Sequence, residues 1–138
     1  MKSDAKPATV LAVVALGVFL VNLDTTVLFI AFDDLRESFP DVTSAELSWV
    51  INAYSIIFAA LLVPAGRIAD RQGRAVVLEI SLVIFTVASI LAAIAPNVPT
   101  LIVARALQGV GSAGLLPSSL GLVMRAYPPE RRATAVTL

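Results

Sequence analysis

Residues 9–32 read TVLAVVALGVFLVNLDTTVLFIAF, an apolar run that contains one acidic residue, Asp24, beyond its midpoint. A helix needs about 20 mostly apolar residues to cross the roughly 30 Å of hydrocarbon in a bilayer, and this run is long enough. A charged side chain inside a bilayer is unfavourable unless it faces water or a partner. The run therefore predicts a membrane-spanning helix whose acidic residue faces away from lipid.

The composition of the whole chain agrees with a membrane protein. Of its 138 residues, 58% are hydrophobic and 14% charged, and the mean hydropathy is +0.90. These are too few charges to coat a soluble globule of this size. Ten basic and ten acidic residues balance, so no overall field attracts nucleic acid. Because the chain has no Cys and no His, thiolate and imidazole metal sites are excluded, and we expect no cofactor.

Three further apolar segments are long enough to cross a membrane, and they cover residues 45–65, 75–95 and 100–126. The segments between the four predicted spans are an outer loop at 33–44, a cytoplasmic loop at 66–74 and an outer turn at 96–99. Thr43 and Glu46 have the spacing of a capping box, which predicts the start of the second span. The predicted fold is an all-α membrane protein with four transmembrane helices and, at 127–138, a cytoplasmic loop and the start of a fifth helix.

The basic residues predict the orientation of these spans. Arg36 is the one basic residue in the predicted outer loops, and Arg105 lies inside the fourth span. The other eight fall on the side of the N-terminal segment, residues 1–8: Lys2, Lys6, Arg67, Arg71, Arg74, Arg125, Arg131 and Arg132. Cytoplasmic loops carry an excess of Lys and Arg, so we expect the N terminus in the cytoplasm.

Arg105 is the predicted partner of Asp24. At 1.5 Å per residue, Asp24 lies about 22 Å from the cytoplasmic end of the first span and Arg105 about 8 Å from the outer end of the fourth, so the two side chains share a depth. A carboxylate at this depth can take up and release a proton as access to it alternates between the two sides. A fixed ion pair that only joins two helices is the alternative.

One face of the fourth span is polar or small, at offsets of 0, 3, 4, 7 and 14 residues: Arg105, Gln108, Gly109, Ser112 and Ser119. This stripe predicts a water-lined cavity, which Asn52 and Ser55 of the second span extend. Close packing between helices is the competing explanation for the glycines of this span.

The predicted cytoplasmic loop reads GRIADRQGR over residues 66–74. Gly66 and Gly73 would permit tight turns. Asp70 can accept hydrogen bonds from backbone N–H groups or from the arginines beside it. An ordinary basic loop would explain the arginines but not the ordered Gly and Asp positions.

These segments resemble signatures of the major facilitator superfamily. Residues 66–74 match G-x-x-x-D-R-x-G-R, and residues 105–111, RALQGVG, match R-x-x-Q-G-x-G of the fourth helix. Residues 23–27, LDTTV, resemble the L-D-x-T-V segment of fourteen-helix drug:proton antiporters. The chain departs from that branch at Phe29 and Asp33, where an Asn and a Pro are usual, and it does not reach the antiporter signature of the fifth helix.

The resemblance implies the partial N-terminal half of a major facilitator fold in a bacterial-type cytoplasmic membrane. It implies that Asp24 and Arg105 border the central cavity and take part in proton coupling, and that Asp70, Arg71 and Arg74 form a cytoplasmic latch. The implied function is proton-coupled efflux of amphipathic small molecules, including multidrug efflux, with protons, the lipid bilayer and the rest of the transporter as partners.

Such transporters consist of two halves with the binding site between them, and four helices cannot enclose that site. We therefore expect this chain to be an N-terminal fragment that does not transport alone. A small four-helix membrane protein acting as an oligomer or assembly subunit is the alternative, favoured by the chain length and the small residues of the fourth span. An enzyme is not expected, because Asp24, Asp70 and Glu79 lie at different depths and no nucleophile and base form a pair.

Overall fold

A computed structural model describes residues 7–127 of the chain. In this range it contains five helices and no strand: α1 (Pro7–Ile30), α2 (Phe32–Ser38), α3 (Ser44–Gln72), α4 (Arg74–Ala93) and α5 (Val98–Ala126). All but the short α2 are long and apolar enough to cross a membrane. The prediction of an all-α fold with four membrane-spanning helices is confirmed. The helix predicted to start after the fourth span, within 127–138, lies outside the described residues, as do Lys2, Lys6, Arg131 and Arg132.

α5 is the central helix of this fold. It packs against α3 and α4 along its length and against α1 over a shorter stretch. Glycines allow the close approach: a Cβ on Gly109 would lie 2.8 Å from the Tyr54 carbonyl oxygen of α3, and one on Gly111 would lie 2.8 Å from the Phe85 backbone nitrogen of α4. Small residues at helix interfaces let backbones meet in this way. The glycines of α5 therefore serve packing within the chain.

Most of the segment predicted as a cytoplasmic loop, 66–74, is helical. α3 continues through Gly66 to Gln72, and only Gly73 leaves helical geometry, with a φ of 105° that side-chain-bearing residues rarely adopt. The prediction of a turn at Gly66 is wrong. The 29 residues of α3 span about 43 Å at 1.5 Å each, so its end extends beyond the hydrocarbon while remaining helical.

The connection between the first two membrane-spanning helices is also more helical than the sequence pattern predicts. α1 ends at Ile30 rather than 32, and α2 occupies half of the segment predicted as the outer loop, 33–44. α2 is helical here because its apolar side packs: Phe32 and Leu35 lie against a core cluster that includes Leu47 and Leu101. The loop after it is thus confined to the few residues before α3.

The first residues of α3 and α5 are capped by side chains. Thr43 Oγ1 accepts a hydrogen bond from the Glu46 N–H at 3.3 Å, and the Glu46 carboxylate accepts one from the Thr43 N–H at 2.9 Å, so the predicted capping box is present. Asn97 Oδ1 accepts from the Thr100 N–H at 2.9 Å and caps α5. Because of this cap α5 begins at Val98, and the turn predicted at 96–99 lies between Ala93 and Val98.

Candidate functional site

Four polar side chains from three helices meet inside the bundle. They are Asp24 of α1, Ser89 of α4, and Arg105 and Gln108 of α5, and we call them the polar cluster. Arg105 Nη1 forms an ion pair with Asp24 Oδ2, the pairing that the shared depth predicts. The Arg105 side chain is 3% exposed and that of Asp24 22% exposed, so the carboxylate is the member with access to the surroundings.

Hydrogen bonds connect all four side chains of the polar cluster. Gln108 Nε2 donates to Asp24 Oδ1 and to Ser89 Oγ, each at 2.8 Å. Gln108 Oε1 accepts from Arg105 Nη1 at 2.8 Å, and the Ser89 hydroxyl donates to the Phe85 carbonyl at 2.8 Å. Both Asp24 oxygens thus face donors. Arg and the amide NH₂ offer only donors, so this arrangement matches an ionised Asp24.

α3 holds the other side of Arg105. Arg105 Nε donates to the Val50 carbonyl at 3.4 Å, and its Cζ lies 4.7 Å from the centre of the Tyr54 ring. Tyr54 in turn stacks on Phe58, with ring centres 6.0 Å apart. A guanidinium over an aromatic face is attracted by the ring quadrupole. All four long helices therefore meet at the polar cluster, with Arg105 as the member that α3 contacts.

Two cavities lie between α1 and α5 on the side of the polar cluster toward the N terminus. The smaller, about 220 Å³, also touches α3 and is lined by Val18, Val21, Asn22, Thr25, Tyr54, Phe58, Ser112, Leu115 and Leu116. The larger, about 560 Å³, is lined by Leu11, Val14, Ala15, Val18, Phe19, Asn22, Leu116, Ser119, Leu120 and Val123. Because both share Val18, Asn22 and Leu116, they adjoin one another.

Each cavity contains one buried hydroxyl without a hydrogen-bond partner in the described residues. Ser112 lines the smaller cavity and Ser119, seven residues further on, lines the larger. Seven residues correspond to about two helical turns, which keeps both on one face of α5. The two cavities are thus mainly apolar, with a few polar groups along them.

Of the five residues predicted to line a cavity, four line neither of these two. Gly109 packs against the α3 backbone. Asn52 and Ser55 are exposed and line neither cavity, and the Ser55 hydroxyl donates to the Ile51 carbonyl of its own helix at 3.2 Å. The reason is that α3 turns its Val50 and Tyr54 side toward α5, which directs its neighbours outward. Gln108 belongs to the polar cluster, and Ser112 lines the smaller cavity.

The signature segment brings Asp70 and Arg74 together across Gly73. Arg74 Nη2 pairs with Asp70 Oδ1 at 2.7 Å, and Arg74 Nη1 donates to the Pro117 carbonyl of α5 at 2.9 Å. The Arg74 guanidinium lies directly over Gly121, where a Cβ would collide with it. Arg71 is exposed and has no ion pair in the part of the chain described. Arg74 is therefore the arginine that fixes this segment to α5.

Sequence reasoning missed Ser89, Tyr54 and Gly121. Ser89 is one of several polar residues in an apolar span, and its one signal is depth. It lies about four residues from the C-terminal end of α4 and so at the level of the polar cluster. Gly121 is one of several small residues of α5, and its position along the helix does not set it apart. Nothing in the spacing of Tyr54 distinguishes it from an ordinary core aromatic residue.

A profile of the Major Facilitator Superfamily matches residues 14–138, so the chain belongs to this superfamily of transporters. It is 36% identical over 133 residues to the methylenomycin A resistance protein of Streptomyces coelicolor, an alignment that covers 96% of this chain and 28% of the relative. It is 44% identical over 117 residues to the multidrug efflux pump LfrA of Mycolicibacterium smegmatis, with 85% and 23% covered. It is 37% identical over 137 residues to the cephamycin export protein CmcT of Amycolatopsis lactamdurans, with 99% and 28% covered.

These relatives confirm the resemblance and place the chain in a superfamily of integral membrane transporters rather than among enzymes. Each is named for drug resistance, efflux or export. The chain spans about a quarter of the length of the curated relatives it matches.

Proposed function

We propose that this chain is the N-terminal part of a proton-coupled exporter of amphipathic small molecules, of the fourteen-helix drug:proton branch, with its N terminus in the cytoplasm of a bacterial cell. The observation that carries the proposal is the ion pair of Asp24 with Arg105. Its carboxylate is partly exposed, and two adjoining, mainly apolar cavities lie between the same two helices, α1 and α5.

In this proposal Asp24 is the group that takes up and releases the proton. A charged group this deep in a membrane protein is retained at a cost, and such groups mark ion and substrate paths. The 22% exposure of Asp24 permits proton exchange, whereas the 3% exposure of Arg105 makes it the fixed countercharge. The mainly apolar cavity walls, with Asn22 and two serines, suit a molecule with one large apolar part and few polar groups.

The signature segment has a second role in the proposal, as a latch on the cytoplasmic side. Arg74 joins the end of α3 to α5 through Asp70 and the Pro117 carbonyl. Arg71 is exposed on the same segment and would contact the remainder of the transporter. A latch of this kind steadies one access state and opens in the other.

The alternative of a four-helix oligomer lacks the support that the sequence pattern offered. The small residues of α5 that favoured it are covered within the chain, since Gly109 faces α3 and Gly111 faces α4. The length of the relatives agrees with a longer transporter.

The test uses the full-length transporter that contains this segment, in proteoliposomes with an imposed pH gradient and a panel of ethidium, puromycin and tetraphenylphosphonium. We expect the wild-type protein to move at least one of them against its gradient, and Asp24→Asn to lose gradient-driven efflux while retaining binding of the same compound. Asp34→Asn is the matched control, because it makes the same change at an exposed position of α2. Full gradient-driven efflux by Asp24→Asn, or no transport of any panel member by the wild type, would refute the proposal.

A further inference from the structure

We propose that Gln108, oriented by Ser89, is the positioning residue that converts protonation of Asp24 into the release of Arg105 from α1. This inference rests on the proposed function, because it explains how a proton on Asp24 alters the bundle. It is carried by the hydrogen bonds of the polar cluster, in which both the oxygen and the nitrogen of the Gln108 side-chain amide are bonded.

The amide orientation of Gln108 follows from its neighbours. Its Oε1 lies 2.8 Å from Arg105 Nη1, a donor, and its Nε2 lies 2.8 Å from Asp24 Oδ1, an acceptor. The reverse orientation would place the NH₂ group against Arg105 and the oxygen against the carboxylate, two pairs of like groups. While Asp24 is ionised, the observed orientation is therefore the favourable one.

Protonation reverses this preference. A hydronium ion transfers its proton to Oδ1 of Asp24 and leaves as water, so the carboxylate becomes a neutral acid with one O–H donor. That O–H then faces the NH₂ group of Gln108, donor against donor. A 180° rotation of the amide restores the bond, because Oε1 accepts from Asp24. The same rotation turns the NH₂ group toward Arg105, which loses its acceptor on Gln108 as well as its anionic partner.

Ser89 is the group that allows both orientations. In the observed state its oxygen accepts from Gln108 Nε2 while its O–H donates to the Phe85 carbonyl. After rotation the hydroxyl can turn and donate to Gln108 Oε1, since a hydroxyl is both donor and acceptor. A serine at this place keeps the amide satisfied in either state, which alanine cannot do.

Arg105 remains bound to α3 when it leaves Asp24. Its Nε bond to the Val50 carbonyl and its contact with the Tyr54 ring do not involve α1. Arg105 is the charged group that faces Asp24, Tyr54 is the titratable group behind it on α3, and α4 presents the uncharged Ser89. Protonation therefore breaks the ion pair between α1 and α5, while Arg105 keeps its contacts with α3.

The test measures gradient-driven efflux as a function of pH in proteoliposomes of the full-length transporter, with the panel compound that the wild type moves best. For Gln108→Leu we expect the pH midpoint to shift by about one unit, because a hydrogen bond to a charged group is worth about one pH unit or more. For Ser89→Ala we expect the maximal rate to fall about tenfold with the half-saturating concentration unchanged, and Ser89→Thr to restore it.

Ser81→Ala is the matched control, because Ser81 is a buried serine of α4 outside the polar cluster. If Asp24→Asn abolishes coupling while Gln108→Leu and Ser89→Ala keep the pH profile and rate of Ser81→Ala, the switch is refuted and the proposed function stands. If Gln108→Leu does not assemble, Ser89→Ala and Ser89→Thr decide the question. If Asp24→Asn keeps coupling, the proposed function itself fails.

Discussion

The guanidinium of Arg74 occupies the space that a side chain at position 121 would need. The glycine at this position therefore allows Arg74 to bind α5. Above Gly121, Arg74 donates a hydrogen bond to the Pro117 carbonyl at 2.9 Å and forms an ion pair with Asp70. A glycine in the interior of a helix is unfavourable by roughly 0.5–1 kcal/mol relative to alanine. Here the absence of a side chain leaves room for the Arg74 guanidinium.

Gly121→Ala is therefore expected to displace Arg74 despite improving the helix propensity of α5. The displaced guanidinium loses its bond to Pro117, and we expect a net loss of about 1 kcal/mol in stability. The measurement is a double-mutant cycle with Arg74→Ala in detergent-solubilised protein. Because Arg74→Ala already removes this contact, Gly121→Ala is expected to cause no further loss of stability in the Arg74→Ala background. Strictly additive effects of the two substitutions would contradict a direct contact between Arg74 and Gly121.

Gly109 and Gly66 predict opposite effects of the same substitution. A Cβ on Gly109 meets two backbone atoms of α3, the Tyr54 carbonyl oxygen at 2.8 Å and the Phe58 nitrogen at 3.3 Å, which cannot move aside alone. Gly109→Ala should therefore destabilise the protein by about 1–3 kcal/mol. A Cβ on Gly66 meets Pro117 at an ordinary 3.5 Å, so Gly66→Ala should be neutral or stabilise the helix by a few tenths of a kcal/mol. Thermal unfolding in detergent compares the two, and equal losses would contradict the packing described.

Removal of one partner of the ion pair should be worse than removal of both. Arg105→Gln leaves the Asp24 carboxylate without its countercharge, and an uncompensated buried charge costs several kcal/mol. Adding Asp24→Asn removes that charge, so the double variant should recover about 1–2 kcal/mol of the loss in the same unfolding measurement. A double variant less stable than Arg105→Gln would show that Asp24 is stabilised by groups other than Arg105.

The Tyr54 ring, rather than its hydroxyl, is expected to support Arg105. Tyr54→Phe keeps the aromatic face 4.7 Å from the Arg105 Cζ atom and should change efflux less than about twofold. Tyr54→Leu removes the face and should lower stability by about 1 kcal/mol or more, the size of a partly desolvated cation–π contact. Equal stability and equal efflux of the two variants would show that the Tyr54 ring does not support Arg105.

The long-range pair was predictable from sequence because helix geometry is regular. Counting residues from the span ends gives Asp24 and Arg105 the same depth, and the structure joins them. The partners of that pair could not be found in this way. Ser89 and Tyr54 join it through the rotation of α4 and α3 about their own axes, which packing against the α5 glycines determines and the order of residues along one chain does not reveal.

The errors in the predicted ends of the helices have a related cause. Hydropathy marks the hydrocarbon region but not the end of a helix, so α3 passes through the polar residues of 66–72 and stops only where Gly73 adopts a positive φ. For Asn52 and Ser55, polarity alone predicted a cavity lining, whereas their exposure on α3 follows from which side of that helix fits α5.

The central claim is that Asp24 is the proton carrier, and proton release on substrate binding tests it most directly. Detergent-solubilised full-length transporter is mixed, in weakly buffered solution with a pH indicator, with the panel compound that it transports. We predict that the wild-type protein releases protons in proportion to its amount and that Asp24→Asn binds the compound without releasing them. Equal proton release from both proteins would contradict the claim.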